Sequence, residues 1–302
     1  MNCLSVIIPV YNRQEMVLAA AVSVLHQELP PTWELELFIV DDGSDDGTNR
    51  AVSHFARDHQ QVHLITMDHT GMAGAVRNRG VAASQGTLLA FLDSDDLWLP
   101  GKLLQQIPRH YPGNTGEGAE FSHTRERWVR HGAVVSQDSR RFRRYRRQGD
   151  MFRDALVKCI IGPSTVMMTR QLWNRTGGFR EDLEIAEDYE YWLRITALCH
   201  VAYLEEELTV KQAGHQDQLS HRYGEIERFR LDGLMALTEA CWFREHRGEA
   251  AQRDAERELA RKALIYAKGA AKRGRQTEAE RWMQIHRRFL TEPPERDMFG
   301  SA

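Results

Sequence analysis

Apolar runs and amphipathic segments alternate through the first hundred residues of the chain. Residues 5–10, 33–40, 62–67 and 87–92 are rich in β-branched and other apolar side chains, which is typical of buried strands. Segments with apolar residues at helical spacing follow the first three of them. A strand roughly every 25–30 residues predicts parallel strands joined by crossover helices, the doubly wound α/β architecture.

The loops that leave this predicted sheet carry polar side chains. Tyr11 and Asn12 follow the first strand, Asp41 follows the second, and the segment 93–96 (Asp-Ser-Asp-Asp) follows the fourth. Because ligands bind at the carboxyl edge of such sheets, we expect a site built from these three loops.

The remainder of the chain is less regular. Residues 115–150 show no clear period and contain an arginine cluster, Arg140–Arg147. Helices are predicted at 150–158 and 187–199, and strands at 164–169 and 201–204. Residues 225–290 are charged and alanine-rich, which predicts two or three amphipathic helices as a C-terminal appendage.

Composition limits the class of protein. The 302 residues are 42% hydrophobic and 27% charged, with a net charge of −3, as in an ordinary globular protein. The four cysteines form no CxxC pair, so neither a paired-thiol metal site nor a disulfide framework is expected. The N-terminus lacks the features of a secretory signal, and apolar runs stay short of a membrane span of ~18 residues. Cytoplasmic residence is the default expectation.

Asp93 and Asp95 are candidate metal ligands. Two residues apart in an extended chain, their side chains project to one side, and carboxylates crowded at a sheet edge need a compensating charge. Mg²⁺ or Mn²⁺ would supply it and would share its oxygen ligands with substrate phosphates. The alternative is a polar loop in which Asp96 caps the next helix.

Two further acidic segments have both structural and chemical explanations. Residues 42–48 suit a tight turn with a capping Asp46 or Thr48, whereas Asp41 could accept a hydrogen bond from a uracil-type base. Glu187 and Asp188 begin a predicted helix, where carboxylates are favoured by the helix dipole. Asp188 could instead act as a general base towards an attacking hydroxyl.

Arg77 and His215 complete the set of candidates. Arg77 lies in a glycine-flanked segment, and its planar guanidinium suits a diphosphate. His215 lies in a polar segment and could bind the cation or a phosphate, although a lone histidine is more often only a surface residue. Neither a P-loop nor a dinucleotide fingerprint is present.

Six segments in this order give the chain a family resemblance: SVIIPVYNR, FIVDDGSDDGT, GMAGAVRNRG, GTLLAFLDSDDLW, TGGFRED and AEDYEYWLR. Together they resemble an inverting family 2 glycosyltransferase with the GT-A fold. The resemblance implies a GT-A domain at 1–222, with a nucleotide-sugar-binding half at 1–112 and an acceptor-side half at 113–222. The helical appendage would then occupy 223–302.

The resemblance also implies roles for individual residues. Pro9, Tyr11 and Asp41 match positions that line the nucleotide pocket, and Asp93 matches the carboxylate near ribose and metal. Asp95 matches the ligand of Mn²⁺ or Mg²⁺ on the donor diphosphate. Asp188 matches the catalytic base, His215 matches a histidine near metal or phosphates, and Arg77 would stabilise the departing diphosphate.

The activity implied is the transfer of one sugar from a nucleotide-diphosphate sugar, with UDP the most frequent carrier, to a glycan or glycolipid. The QxxRW motif of processive synthases is missing, which favours a single addition. The arginine cluster is either a solvated loop or a lip for an anionic acceptor or a membrane surface. Dimerisation through the C-terminal helices, and peripheral contact with the inner face of the membrane, stay open.

Two other classes of protein are less consistent with the sequence. An inactive nucleotide-sugar-binding scaffold is disfavoured because Asp95 and Asp188 are both present. A sugar nucleotidyltransferase would begin with a glycine-rich basic loop after the first strand, and here that loop starts with Tyr11. No nucleic-acid-binding motif accompanies the arginine cluster.

Overall fold

The computed structural model of the chain describes residues 2–111, 118–137, 146, 148–214 and 226–290. It divides into two compact units, Met1–Ile226 and Glu227–Ala302. The boundary predicted at residue 222 lies in the segment 215–225, outside the described residues. The domain limits inferred from the resemblance therefore stay predictions.

One mixed sheet organises the first unit. The strands that the structure describes are β1 (Asn2–Val10), β2 (Trp33–Asp41), β3 (Val62–Thr66), β4 (Leu88–Phe91), β5 (Leu97–Trp98), β6 (Phe121–Arg130), β7 (Ala133–Val135), β8 (Met167–Thr169) and β9 (Val201–Ala213). Their order is β3-β2-β1-β4-β8-β6-β9-β5, with β7 pairing to β6. The neighbours β3, β2, β1 and β4 pair in parallel, as the strand period predicts. β8 pairs antiparallel to β4 and begins the mixed half of the sheet.

Helices cover both faces of this sheet. The described helices of the first unit are α1 (Gln14–Leu25), α2 (Thr48–Asp58), α3 (Ala73–Ala83), α4 (Lys102–His110), α5 (Phe152–Val157), α6 (Arg170–Thr176) and α7 (Glu187–Leu198). Alternate residues of β1 enter two separate apolar clusters. Leu4, Val6 and Ile8 pack in the cluster that contains α1, α2 and α4. Ile7 packs in the cluster that contains α3, α6 and α7.

The expectation for residues 115–150 was wrong in part. Residues 121–135 form the hairpin β6–β7, and β6 pairs in parallel with β9 along most of its length. These strands are rich in charged residues and so lack the apolar pattern that predicts a strand. The charges are accommodated because Arg125 and Arg127 form ion pairs with Glu207 of the neighbouring strand. β9 accordingly extends to Ala213 rather than ending near residue 204.

The strand predicted at 164–169 is also shorter than expected. Its first part, Pro163–Thr165, is a 3₁₀ turn, and the strand β8 begins at Met167. Proline at the first position of the turn fixes a helical φ and donates no backbone hydrogen bond to a sheet. The turn lies beside the end of β4, so it becomes part of the site described below.

The described part of the second unit, residues 227–290, consists of helices. They are α8 (Ile226–Glu239), which begins at the last residue of the first unit, α9 (Trp242–Arg247), α10 (Glu249–Lys272) and α11 (Gln276–Phe289). Four helices replace the two or three expected, because Gly248 at φ +94° separates α9 from α10. The buried Trp282 packs edge-on against Tyr266 and joins α10 to α11. Among the described residues, no helix is long and apolar enough to cross a membrane.

Candidate functional site

The loops after β1 and β2 are joined side by side at the carboxyl edge of the sheet. The backbone N–H of Asn12 donates to Ser44 Oγ at 2.8 Å. The Asn12 side-chain Nδ2 donates to Asp45 Oδ1 at 2.7 Å, and the Asp45 backbone N–H donates back to Asn12 Oδ1 at 2.9 Å. These bonds hold Tyr11 at a fixed place beside the second loop.

Asp41 and Asp42 have different roles in the second loop. Asp41 is fully buried and accepts hydrogen bonds from Ser44 N and Asn49 Nδ2, each at 3.0 Å. Asp42 accepts from the backbone N–H groups of Thr70 and Gly71, both at 2.9 Å, and so fixes the loop that precedes α3. Asp42 therefore serves the structure of the loop, as the turn interpretation predicts.

Tyr11 stacks on His69 at the surface of these loops. The ring centroids are 4.0 Å apart and the planes differ by 22°, while the Tyr11 residue stays 38% exposed. Pro9 lies two residues earlier and is in register with Val40 of β2. An exposed aromatic ring beside a buried carboxylate is an arrangement that can stack a nucleobase and bind its polar edge.

The acidic loop (residues 93–96) follows β4. Carboxylate oxygens of Asp93, Asp95 and Asp96 lie within 4.8 Å of one another, the separation that one cation could bridge. All three donors are oxygens, which is the ligand type that Mg²⁺ and Mn²⁺ prefer. The donor set therefore fits the metal that the resemblance implies.

Asp96 holds the acidic loop in place and does not cap a helix. Its carboxylate accepts hydrogen bonds from Ser164 Oγ at 2.6 Å and from Gln212 N at 3.1 Å. The capping alternative is therefore wrong, since α4 begins only at Lys102, after Gly101. Burial raises the pKa of the Asp96 carboxyl to about 7, against the opposing effect of the Lys211 ammonium group.

Ser164 connects the 3₁₀ turn to the acidic loop from two directions. Its hydroxyl accepts from the backbone N–H of Asp93 at 3.0 Å while it donates to Asp96. Its carbonyl oxygen accepts from the Trp98 indole at 2.8 Å. Ser164 is fully buried, so the geometry of the loop depends on a side chain that the sequence analysis did not single out.

Arg77 lies between the acidic loop and the start of α7. One guanidinium nitrogen is 2.7 Å from Asp93 Oδ1 and the other is 2.6 Å from Glu187 Oε1. Burial works against the charged guanidinium, but the two carboxylates outweigh it and raise the pKa of Arg77. Because both ends of its fork bind protein carboxylates, Arg77 positions these groups in the structure as it stands.

Two other cations face the acidic loop. Arg13 Nη1 lies 2.8 Å from Asp95 Oδ2. Lys211 Nζ, on β9, lies 3.5 Å from Asp96 Oδ2 and 3.9 Å from Asp93 Oδ2. Burial lowers and the nearby carboxylates raise the pKa of Lys211, and the net effect is a rise that keeps the ammonium charged.

Asp188 occupies the first turn of α7, next to Glu187. Ala186 precedes the helix in the left-handed region at φ +67°. Asp188 Oδ1 accepts from the backbone N–H of Tyr189 at 2.6 Å, and the Cys159 thiol donates to Oδ2 at 3.5 Å. The Asp188 carboxylate therefore bonds to the N–H of the next residue and to a thiol, and no side-chain capping bond is made at the start of α7.

The segment TGGFRED, which belongs to the family pattern, fastens α3 in place. The Asn78 side chain donates to Phe179 O at 2.8 Å and accepts from Phe179 N at 3.0 Å. A Cβ at Gly74 would come within 2.7 Å of the Arg180 carbonyl oxygen, so only glycine allows this approach. The contact keeps α3, and with it Arg77, against the segment that leads to α7.

The structure thus brings most of the candidate residues to one edge of the sheet. Asp93 and Asp95 share the acidic loop, Arg77 connects Asp93 to the residue next to Asp188, and Tyr11 and Asp41 lie on the neighbouring loops. His215 lies outside the described residues, and so does the arginine cluster apart from Arg146. Arg146 donates to the Gln137 carbonyl at 2.6 Å.

The chain is similar to known proteins of one family. The family model of Glycosyl transferase family 2 matches residues 5–175. A Bacillus subtilis protein described as a teichuronic acid biosynthesis glycosyltransferase, TuaG, is 30% identical over 202 residues, covering 66% of this chain and 74% of the relative. The Escherichia coli UDP-Glc:alpha-D-GlcNAc-diphosphoundecaprenol beta-1,3-glucosyltransferase WfgD is 30% identical over 191 residues, covering 63% and 68%.

Solved structures agree on the fold. Staphylococcus aureus TarS in complex with UDP-GlcNAc superposes with a TM-score of 0.63 at 16% identity, covering 97% of this chain and 93% of that one. The mannosyltransferase PcManGT of Pyrobaculum calidifontis, in complex with GDP-Man and Mn²⁺, gives 0.59 at 17% identity, covering 95% and 86%. The sheet described above is thus the GT-A type, and the chain is a glycosyltransferase that belongs to glycosyl transferase family 2.

Proposed function

We propose that the protein transfers one sugar from a nucleotide-diphosphate sugar, with UDP the expected carrier, to a hydroxyl of a glycan or glycolipid. The transfer inverts the anomeric carbon and depends on Mn²⁺ or Mg²⁺. The observation that carries this proposal is the bridge Asp93–Arg77–Glu187, which ties the acidic loop to the helix start that bears Asp188. The residues that bind the donor and the residue that acts as the base must be held at a fixed distance and orientation for the reaction to proceed.

The nucleotide would lie against the loops after β1 and β2. Tyr11 would stack on the base, and the Asp41 carboxylate would accept its imide N–H, since Asp41 ends β2 in register with Val10, next to Tyr11. Pro9 would line the same pocket from β1, and Asp93 would approach the ribose. The diphosphate would then extend towards Asp95.

Asp95 and Asp93 would hold the divalent cation together with donor phosphate oxygens. His215, which follows β9 in the chain, would contact the cation or these phosphates. The metal would stabilise the negative charge that develops on the leaving diphosphate. Arg77 would assist indirectly by keeping Asp93 and Glu187 in position.

Asp188 would take the proton from the acceptor hydroxyl. The hydroxyl oxygen then forms a bond to the anomeric carbon while the bond from that carbon to the diphosphate oxygen breaks. The electron pair of the broken bond leaves with the nucleoside diphosphate, and the proton stays on Asp188. A single displacement of this kind inverts the configuration.

The acceptor side is proposed from chemistry that the relatives carry in their names. WfgD acts on a diphosphoundecaprenol-linked sugar, which is an anionic glycolipid. The arginines at 140–147 would give this chain an electropositive lip for a similar acceptor or for the membrane surface around it. Charge reversal of Arg143 and Arg144 should lower acceptor turnover and liposome binding, and unchanged values of both would contradict the lip.

A thermal-shift panel tests the donor class. We expect UDP-sugars to stabilise the protein much more strongly when Mn²⁺ or Mg²⁺ is present, while GDP- and dTDP-sugars give smaller shifts. Metal-dependent release of the nucleoside diphosphate would then separate an enzyme from an inactive scaffold. No stabilisation by any nucleotide sugar, with or without metal, would contradict the proposed function.

A further inference from the structure

Two basic side chains contact the carboxylates of the acidic loop. Arg13 pairs with Asp95 at 2.8 Å, and Lys211 approaches both Asp93 and Asp96. They come from opposite flanks of β4 in the sheet order, Arg13 from the end of β1 and Lys211 from β9. Arg13 ends the segment SVIIPVYNR and Lys211 lies outside all six segments that carry the family resemblance, and the resemblance implies no role for either side chain.

In the structure these two cations pair with the same carboxylates that would bind a divalent ion. A divalent ion approaching Asp95 would meet the Arg13 guanidinium at the same carboxylate, and one approaching Asp93 would meet the Lys211 ammonium group. Competition for the same oxygens and repulsion between like charges both weaken metal binding. The donor-free protein should therefore bind a divalent cation poorly.

A diphosphate changes this balance because it offers new anionic oxygens to both side chains. Arginine binds phosphate through its planar fork, and lysine binds it as a point charge on a flexible stem. The Arg13 and Lys211 side chains are 16% and 25% exposed, so both border the solvent from which a donor would enter. Arg77 is different, since its side chain is 5% exposed and is bound by carboxylates on two sides.

On the basis of the proposed function, we propose that Arg13 and Lys211 are exchangeable counter-ions of the acidic loop. Without donor they bind the carboxylates of Asp93, Asp95 and Asp96, and with donor they transfer to its diphosphate. The exchange frees the carboxylates for Mn²⁺ or Mg²⁺. Nucleotide and metal consequently bind with positive coupling, and each increases the affinity for the other.

The variant Lys211→Met tests this exchange, because it keeps the length of the side chain and removes the charge. We expect it to bind Mn²⁺ on the order of 10-fold more tightly than the wild type without nucleotide, the scale of a typical coupling between two sites. The same variant should bind UDP more weakly without metal. Mn²⁺ affinity is measured from the electron paramagnetic resonance of the unbound ion, and UDP affinity by calorimetry.

Three further variants make the result specific. Lys268→Met removes the same charge from an exposed position in α10 and should change neither affinity. Lys211→Arg should keep the wild-type pattern. Arg13→Met should likewise raise the Mn²⁺ affinity and lower the UDP affinity, so the test does not depend on a single variant. Thermal melts show whether each variant is folded.

The possible outcomes distinguish a failure of the exchange from a failure of the proposed function. Opposite changes in Mn²⁺ and UDP affinity support the exchange. If the wild type binds Mn²⁺ and UDP but Lys211→Met and Arg13→Met leave Mn²⁺ affinity unchanged or lower it, the exchange is wrong and the proposed function stands. If the wild type binds neither UDP nor Mn²⁺, both proposals are wrong.

Discussion

The guanidinium of Arg77 and the carboxylate of Glu187 form a buried ion pair, with Nη1 and Oε1 2.6 Å apart. The two residues are 110 positions apart in the chain, and the pair joins α3 to the first turn of α7. Asp93 extends it into a three-membered bridge at 2.7 Å. The relation between the acidic loop and Asp188 is thus fixed by a charge network rather than by the path of the backbone.

Arg77→Met should destabilise the protein strongly. Removing the cation leaves the buried carboxylate of Glu187 without its ion-pair partner, and breaking a buried pair costs about 3–5 kcal/mol. Urea unfolding measures the change in the free energy of unfolding. Arg79→Met, which alters an exposed arginine of the same helix, serves as the control. Equal losses in the two variants would contradict the role of the bridge.

Ser164→Ala should loosen the acidic loop. The variant removes the acceptor of the Asp93 backbone N–H and the donor to Asp96, at a cost of about 1–3 kcal/mol in unfolding free energy. It should also weaken metal-dependent nucleotide binding, because the loop carries the proposed ligands. Thr196→Ala removes another buried hydroxyl that bonds within α7. That control should lose stability and keep nucleotide affinity, and a matching loss of affinity would argue against a specific role for Ser164.

Tyr11→Ala should weaken nucleotide binding. A stacked base loses about 1–3 kcal/mol when the aromatic ring is removed, which is roughly 5- to 150-fold in Kd. Tyr11→Phe keeps the ring and should bind within a few-fold of the wild type. Calorimetric titration with UDP provides both values. Comparable affinities for the alanine and phenylalanine variants would show that the base lies elsewhere.

His110 should make stability fall on mild acidification. Burial lowers the pKa of its imidazole to about 4, and the ring bonds to Ser122 Oγ at 2.7 Å. In the unfolded chain the His110 imidazole has an ordinary pKa near 6.5 and takes up a proton first as the pH falls. The contribution of the neutral, buried ring to the free energy of unfolding is therefore complete above pH 6.5 and declines below it. Between pH 7 and pH 5 the loss should be about 2 kcal/mol.

His110→Gln should remove that part of the pH dependence. Urea unfolding at pH 7 and pH 5 gives the slope for each protein, and His54→Gln, on the exposed face of α2, provides the reference. The wild type and His54→Gln should share the steeper slope. A slope for His110→Gln equal to theirs would mean that the buried imidazole does not contribute.

The sequence predicts the parallel half of the sheet and the loops at its edge, because strand period and buried runs are local signals. Asp41, Asp93 and Asp95 are found this way, since Asp41 ends β2 and the other two lie within four residues of the end of β4. Ser164 is not, because its partner Asp93 is 71 residues away. Contacts over such distances leave no periodic pattern in the chain.

Polar strand pairs and long-range charge pairs escaped prediction for related reasons. β6 and β9 carry alternating arginine and glutamate side chains that satisfy each other only when the two strands are adjacent. Lys211 resembles any other strand lysine until β9 lies beside the acidic loop. Arg77 was recognised as important by its segment, but its carboxylate partners became evident only in the folded chain.

The central claim is that Asp188 is the base of a metal-dependent transfer, and the rate of nucleoside diphosphate release from a UDP-sugar in Mn²⁺ measures it most directly. Water serves as the acceptor in this assay. Asp188→Asn should lower the rate at saturating donor by about 10²- to 10⁴-fold, the usual contribution of a general base, with an unchanged Kd for the donor. Asp95→Ala, in contrast, should lose metal-dependent donor binding. A rate for Asp188→Asn within a few-fold of the wild type would contradict the account.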